Sequence, residues 1–171
     1  MAIRKIFHLG NDLLRKKSEI VEFPLSNEDE QLLIDLKDTL HNFIKENGFG
    51  RGIAAPQIGV LKRALCLDMT GDNPKFFINP EITYYSDEKI KLFDDCFSMP
   101  YIMVNIYRSK KIKVKYFNEN GDMYHEEFTG DWAELLQHEI DHLNGILAID
   151  RVKVLSDIWS KAEYLEEFSN S

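Results

Sequence analysis

His138-Glu139-Ile140-Asp141-His142 places two histidines four residues apart, with a glutamate directly after the first. On a helix that spacing sets both imidazoles on one face, one turn apart, where both can reach one cation. Glu139 projects nearby but is poorly placed to be a third ligand on that face, which leaves it free to move protons. The string alone also admits a blander reading, two surface histidines among solvated acids. A metal needs a further ligand, and Cys96, in Phe93-Asp94-Asp95-Cys96-Phe97-Ser98, offers a soft thiolate at the end of a strand-like run. A lone cysteine is usually a buried small hydrophobe, a description that Cys66 in Ala64-Leu65-Cys66-Leu67 fits far better. His8, His41 and His125 have no partner at ligand spacing and read as structural or solvent residues. A cysteine–histidine nucleophilic pair is also conceivable, but two histidines with an intervening glutamate suit metal-activated water better.

These residues need elements to hold them. Leu32, Leu33, Leu36, Leu40, Phe43 and Ile44 recur at helical spacing between Ser26 and Asn47, with a cap-forming start at Ser26-Asn27-Glu28-Asp29 and a left-handed stop at Asn47-Gly48. From Gly48 to Gly59 the small residues of a loop or irregular edge segment let the backbone approach something closely. Short apolar or alternating runs then predict strands over Ala64 to Met69, Phe76 to Ile78, Ile82 to Tyr85, Lys89 to Phe93 and Lys111 to Tyr116, the last turned by Asn120-Gly121 into Met123 to Phe128. Asp131, with Glu134 three residues on, reads as the N-cap of a second helix that carries both histidines and closes at Asn144-Gly145. A brief strand is expected over Ile146 to Ile149. A last amphipathic helix, capped near Ser156, carries Ile158, Trp159, Ala162, Leu165 and Phe168. The order of helix, several strands and helix gives an α+β class in one domain over 1–171: antiparallel or mixed sheets around a central metal-binding helix, with an N-terminal and a C-terminal helix.

The chain has 171 residues, 44% of them hydrophobic, enough for one well-buried core and too few for two comfortable domains. Its formal charge of -8 repels phosphate backbones, so a nucleic-acid substrate is not expected. The first ten residues lack an apolar stretch of signal-peptide length, and nowhere do about 18 apolar residues run together as a membrane span requires. A cytoplasmic location is expected. Two cysteines make no disulfide framework, and in a reducing compartment a cysteine is free to serve as core residue, nucleophile or ligand.

Three segments together resemble peptide deformylases. Gly50-Arg51-Gly52-Ile53-Ala54-Ala55-Pro56-Gln57 resembles their Gly-x-Gly-Leu-Ala-Ala-x-Gln, Asp94-Asp95-Cys96-Phe97-Ser98 their Glu-Gly-Cys-Leu-Ser, and Gln137-His138-Glu139-Ile140-Asp141-His142 their Gln-His-Glu-x-Asp-His. Order and separations agree, and weaker likeness runs from Leu14-Arg15-Lys16-Lys17 to Asp150-Arg151. The resemblance implies removal of the formyl group from the N-terminal formyl-methionine of new polypeptides, with formate released and with passing contact to the ribosome. It implies one divalent metal, typically iron(II), with zinc, nickel or cobalt able to occupy the same site. Cys96, His138 and His142 would hold it and a water would complete the tetrahedron, activated by a cation that also polarises the formyl oxygen. Glu139 would serve as general acid/base, while Gln57 and the backbone N–H of Phe97 would donate to the oxyanion. Asp141, Gln137 and neighbouring backbone are the groups expected to orient the imidazoles.

The departures from the motifs are specific. Asp95 stands where the motif has glycine, Asp94 shortens its glutamate, and Arg108 takes the place of the arginine that pairs with that acid. Arg51 and Glu134 occupy commonly apolar places that line the methionine pocket beside Gly50 and Gly52. Either charge alone would be costly to desolvate, so the two are expected to meet as an ion pair or to turn their heads out to solvent. Three readings follow: a deformylase, a related metal amidase with altered substrate choice, and a non-catalytic deformylase-like metal-binding protein. Intact Glu139 and Gln57 weigh against the third. An ordinary His-Glu-x-x-His zinc protease would need a downstream third ligand, and nothing after His142 supplies one.

Overall fold

A computed structural model of the chain describes residues 3–168. Helix α1 spans Asn27–Asn47 and begins and ends on the local signals of the sequence. Ser26 Oγ accepts the Asp29 N–H at 3.1 Å while the Asp29 carboxylate accepts the Ser26 N–H at 3.4 Å, and Gly48, at φ +76°, donates back to the Ile44 carbonyl. Its apolar stripe, Leu32, Leu33, Leu36 and Leu40, is buried against Ile53, Ala64, Cys66 and Ile78.

The strands form two antiparallel sheets. β1 (Gly52–Ala54), β2 (Ala64–Leu67), β3 (Lys75–Tyr85), β6 (Lys111–Phe117) and β7 (Met123–Thr129) make one, in that order, and β4 (Lys89–Asp94), β5 (Ile102–Ser109) and β8 (Ile158–Ser160) make the other. Helix α2 (Gly130–Leu143) buries Ala133, Leu136, Ile140 and Leu143 against Leu65, Leu67, Phe77, Ile112 and Val114 of the first sheet and touches β5 of the second, so it occupies the middle of the fold. Helix α3 (Lys161–Phe168) follows β8.

Several local expectations are corrected. Phe76 to Ile78 and Ile82 to Tyr85 belong to a single strand, β3, whose register shifts between Ile78 and Glu81. Pro80 cannot donate to the ladder there, and Asn79, at φ +51°, turns its amide to the Val21 backbone with bonds of 2.8 and 2.9 Å. Part of the glycine-rich segment is the short strand β1, followed by a 3-10 turn over Ala55–Ile58. α2 has Thr129 at its N-cap, not Asp131, whose carboxylate instead faces Arg51 at 3.6 Å. Ile146 to Ile149 is no strand: the chain enters a 3-10 turn at Ala148–Arg151, with Asp150 accepting the Leu147 N–H at 2.8 Å. Ile158 and Trp159 are not helical either, because they pair with Val104 and Met103 on the open edge of β5. β5 itself has no counterpart among the expected strands. It buries Val104, Ile106 and Arg108 between half-buried Asn105 and exposed Tyr107, but Met103 and Ser109 are buried as well and the alternating buried face includes an arginine, which blurs the period-two signal of a half-buried strand.

Candidate metal centre

The middle of α2 turns His138 and His142 to one face, their ring centroids 5.0 Å apart. Cys96 comes from elsewhere in the chain: β4 ends at Asp94, and a tight turn in which Met99 donates to the Cys96 carbonyl at 2.8 Å brings the thiol over the helix. Sγ lies 3.3 Å from His142 Nε2. One donor atom from each of the three residues lies within 4.8 Å of the others, and all three side chains are buried. A soft sulfur and two imidazole nitrogens converging in a dry site fit a divalent cation with one position left open. Glu139, beside them, is buried with its Oε2 unpartnered among the described residues.

Charges behind the histidines form a chain. Asp94 Oδ1 lies 2.7 Å from His138 Nδ1, at an angle outside hydrogen-bond geometry. Asp94 Oδ2 accepts from Arg108 at 2.7 and 3.3 Å, Arg108 donates onward to Asp141 at 2.6 Å, and Arg151 closes on Asp141 at 2.5 and 3.1 Å. Asp141 and Gln137 therefore do not contact the imidazoles as expected: Asp141 serves two arginines, and the Gln137 amide bridges the backbone of Ser109. Asp94 faces the ring instead. The shorter aspartate keeps the motif's pairing with arginine.

The same charges set the protonation of the centre without a cation. Burial would raise the Asp94 carboxyl, but the His138 ring and the Arg108 guanidinium outweigh it and hold its pKa below the usual carboxylate range. Burial likewise opposes a charged His138, yet Asp94 and Cys96 raise that ring well above the ordinary histidine value. His142, equally buried, is pushed well down by desolvation and by the neighbouring His138, which leaves it neutral and able to donate a lone pair. Burial, with a smaller push from Asp94, raises Glu139 to about 7 against the pull of His138.

A cavity of about 120 Å³ opens beside these groups, lined in part by Gly50, Arg51, Gly52, Gln57, Phe97 and Glu134. Gln57 is held by its own turn: its Oε1 accepts the Ala54 N–H at 2.9 Å, so its amide nitrogen must face the site, 3.2 Å from Ser98 Oγ and 3.8 Å from Cys96 Sγ. Phe97 stacks on Phe43 of α1 with centroids 3.7 Å apart. Arg51 and Glu134 meet as an ion pair at 3.2 Å on the cavity wall, the first of the two outcomes their charges allow. Three contacts went unnoticed in the sequence: Asp94 on His138, Ser98 on Gln57, and Lys161 of α3 on Asp95 at 2.7 Å. Asp94 and Ser98 each have a local signal, their place two residues from Cys96.

Residues 3–157 match the family model described as polypeptide deformylase. A peptide deformylase of Pseudothermotoga lettingae is 41% identical over 150 residues, which cover 88% of this chain and 83% of that one. The enzyme of Thermotoga maritima is 41% identical over 145 residues, covering 84% and 83%. Among solved structures, a peptide deformylase from Legionella pneumophila superposes with a TM-score of 0.82 at 33% identity, covering 99% of this chain and 96% of its own. The Thermotoga maritima peptide deformylase gives 0.77 at 37% identity, covering 90% and 100%.

Proposed function

The chain belongs to the polypeptide deformylase family and is a hydrolase that removes the formyl group from the N-terminal formyl-methionine of nascent polypeptides; we propose that it does so through a divalent metal held by Cys96, His138 and His142. The observation that carries this reading is the convergence of those three donors within 4.8 Å, next to a buried glutamate oxygen with no partner among the described residues. Iron(II) is the proposed ion, with zinc, nickel or cobalt able to replace it. When bound, such a cation supplies Lewis acidity that lowers the pKa of a water and polarises the formyl oxygen.

The chain's own residues do the rest. Glu139 takes a proton from the attacking water and gives it to the departing amine, so that water and the formamide become formate and a free amino terminus. A carboxylate whose pKa burial has pushed up to about 7 suits both halves of that transfer near neutrality. Gln57 Nε2 and the Phe97 N–H donate to the developing oxyanion, and Gln57 needs no reorientation because Ala54 already holds its oxygen. Gly50, Arg51, Gly52 and Glu134 border the slot for the methionine side chain. The Arg51–Glu134 pair favours a preference among formylated peptides unlike that of a wholly apolar slot.

Among the described residues no helix is long and apolar enough to cross a membrane. A cytoplasmic enzyme in one domain, in passing contact with the ribosome, fits this substrate. The deciding assay is formate release from a formyl-methionyl peptide by protein loaded anaerobically with iron(II). No release above that of metal-loaded Glu139→Gln would overturn the reading.

A further inference from the structure

Asp95 is the residue directly before Cys96, and it lines the same cavity as Cys96, His138 and Glu139. It adds a carboxylate to a wall already carrying Glu134 and Asp94. A free carboxylate in that position has two harmful courses open to it, since it is a good oxygen ligand for a divalent cation and its charge would lie beside the path of the peptide. Neither course is taken here. Lys161, the first residue of α3, binds Asp95 Oδ2 at 2.7 Å, with both side chains only partly exposed, at 23% and 31%.

Lys161 is itself fixed on three sides. Its Nζ stands 4.3 Å from the centroid of the Phe49 ring, its backbone N–H donates to the Tyr101 carbonyl at 2.9 Å, and its ammonium holds Asp95. One residue therefore grips both ends of the turn that presents Cys96. The aromatic residues around it hold the approach to that turn: Phe93 of β4, which also lines the cavity, packs against Trp159, Tyr164 and Phe168 at 4.7 to 5.7 Å between centroids. These residues lie beyond residue 157, where the family match ends.

We infer that Lys161 is a positioning residue of the metal centre: by binding the Asp95 carboxylate at the rim, it keeps that group away from the cation. The inference rests on the metal site proposed above. It differs from a simple clamp in one respect, because the need for Lys161 exists only while Asp95 is present.

A double-mutant cycle read through the metal tests this. Protein loaded with cobalt(II) is mixed with a chelator, and metal loss is followed by the thiolate-to-cobalt absorption band, a readout independent of any substrate. Lys161→Met should lose cobalt about tenfold faster than the native protein, the lower end for a residue supporting a ligand, and its band should shift as a carboxylate oxygen enters. Asp95→Ala and the double variant Asp95→Ala/Lys161→Met should both stay within about twofold of the native rate, and Lys161→Arg should restore retention. Lys161→Gln, which keeps a polar head without the charge, gives the same ordering if Lys161→Met does not fold. A double variant as leaky as the lysine variant would reduce Lys161 to a clamp and overturn the inference, as would unchanged retention in Lys161→Met or Lys161→Gln. Native protein that binds no cobalt would instead overturn the metal site itself.

Discussion

Glu139 lies against the bare backbone of Gly52: a Cβ at that position would stand 2.7 Å from Glu139 Oε1 and 2.6 Å from Leu67 Cδ2. Gly52 has no left-handed φ, so its backbone conformation suits alanine, but the methyl must displace both of those side-chain ends. Gly52→Ala should therefore keep its metal while kcat falls by about a hundredfold, the cost of moving a proton-transfer group by an ångström or so. Unchanged kcat, with Glu139 still in place in a crystal structure, would contradict this.

Under the proposed mechanism, Glu139→Gln removes the proton carrier and no ligand. Metal content should stay stoichiometric, and turnover should fall by about 10²- to 10⁴-fold. Folding should change little, because the carboxylate oxygen lost has no partner among the described residues. A variant turning over near the native rate would remove Glu139 from the proton transfer.

Metal binding should be coupled to protons. Without metal the pKa of His138 is raised well above the ordinary value by Asp94 and Cys96, against the opposing pull of burial, and the ring must lose its proton to become a ligand. Binding should therefore release protons, and affinity should weaken as pH falls. Calorimetry in two buffers of different ionisation enthalpy measures the release, and equal apparent enthalpies in both would contradict it. Cys96→Ala and His142→Ala should each lose stoichiometric metal by elemental analysis.

Much of this architecture is legible locally, and what is not depends on distant partners. α1 could be read because its stripe, its Ser26–Asp29 box and its Gly48 stop all lie within the segment itself. The pairing of His138 with His142 could be read because four residues make one helical turn. Cys96 could not be singled out by its own surroundings, since its neighbours in space come from α2. β5 is hard to read because Met103 and Ser109 are buried beside its alternating Val104, Ile106 and Arg108, and because one residue of that buried face is a charge, Arg108, held between two aspartates. β8 was read as helix because Ile158 and Trp159 extend the apolar spacing of α3, and only the free edge of β5 draws them into a sheet. Lys161 carries no mark of its partnership with Asp95, which lies across the fold on another element.

The Arg51–Glu134 pair is expected to narrow the side-chain slot. Burial raises the Glu134 carboxyl while Arg51 lowers it, so losing the arginine alone would leave an acid that is costly to keep ionised. Replacing both by isoleucine should raise kcat/KM for a formyl-methionyl peptide about tenfold, roughly the worth of a better-filled apolar pocket. Arg51→Ile alone should gain less. A double variant with unchanged preference among formylated peptides would sink the idea.

Arg108 stands between two buried carboxylates, and its loss should show in a characteristic pH pattern. Arg108→Met should destabilise the fold near neutral pH, by less than the roughly 3–5 kcal/mol of a fully stranded buried charge, because His138 still faces Asp94 and Arg151 still holds Asp141. Asp94 has a folded pKa below its unfolded value of about 3.9, so its contribution is complete above that value and fades as pH falls towards the folded one. In the variant the buried carboxylates have lost one cation between them and are relieved by protonation. The stability gap between native and variant proteins, from urea unfolding, should therefore shrink as pH drops from 7 towards 4, and a constant gap would contradict the assignment.

β8 touches β5 over three residues only, Ile158 to Ser160 against Ile102 to Val104. That contact covers the backbone of β5 where Met103 and Val104 are buried and Ile102 is half-buried. A chain that ends before Ile158 would retain Cys96, His138, His142 and Glu139 but lose Lys161, and would present an unpaired, apolar strand edge to its neighbours. Such an edge is a template for pairing with another copy. Truncation at the carboxyl end should then betray itself in self-association, with light scattering rising, beside the faster metal loss that follows from losing Lys161.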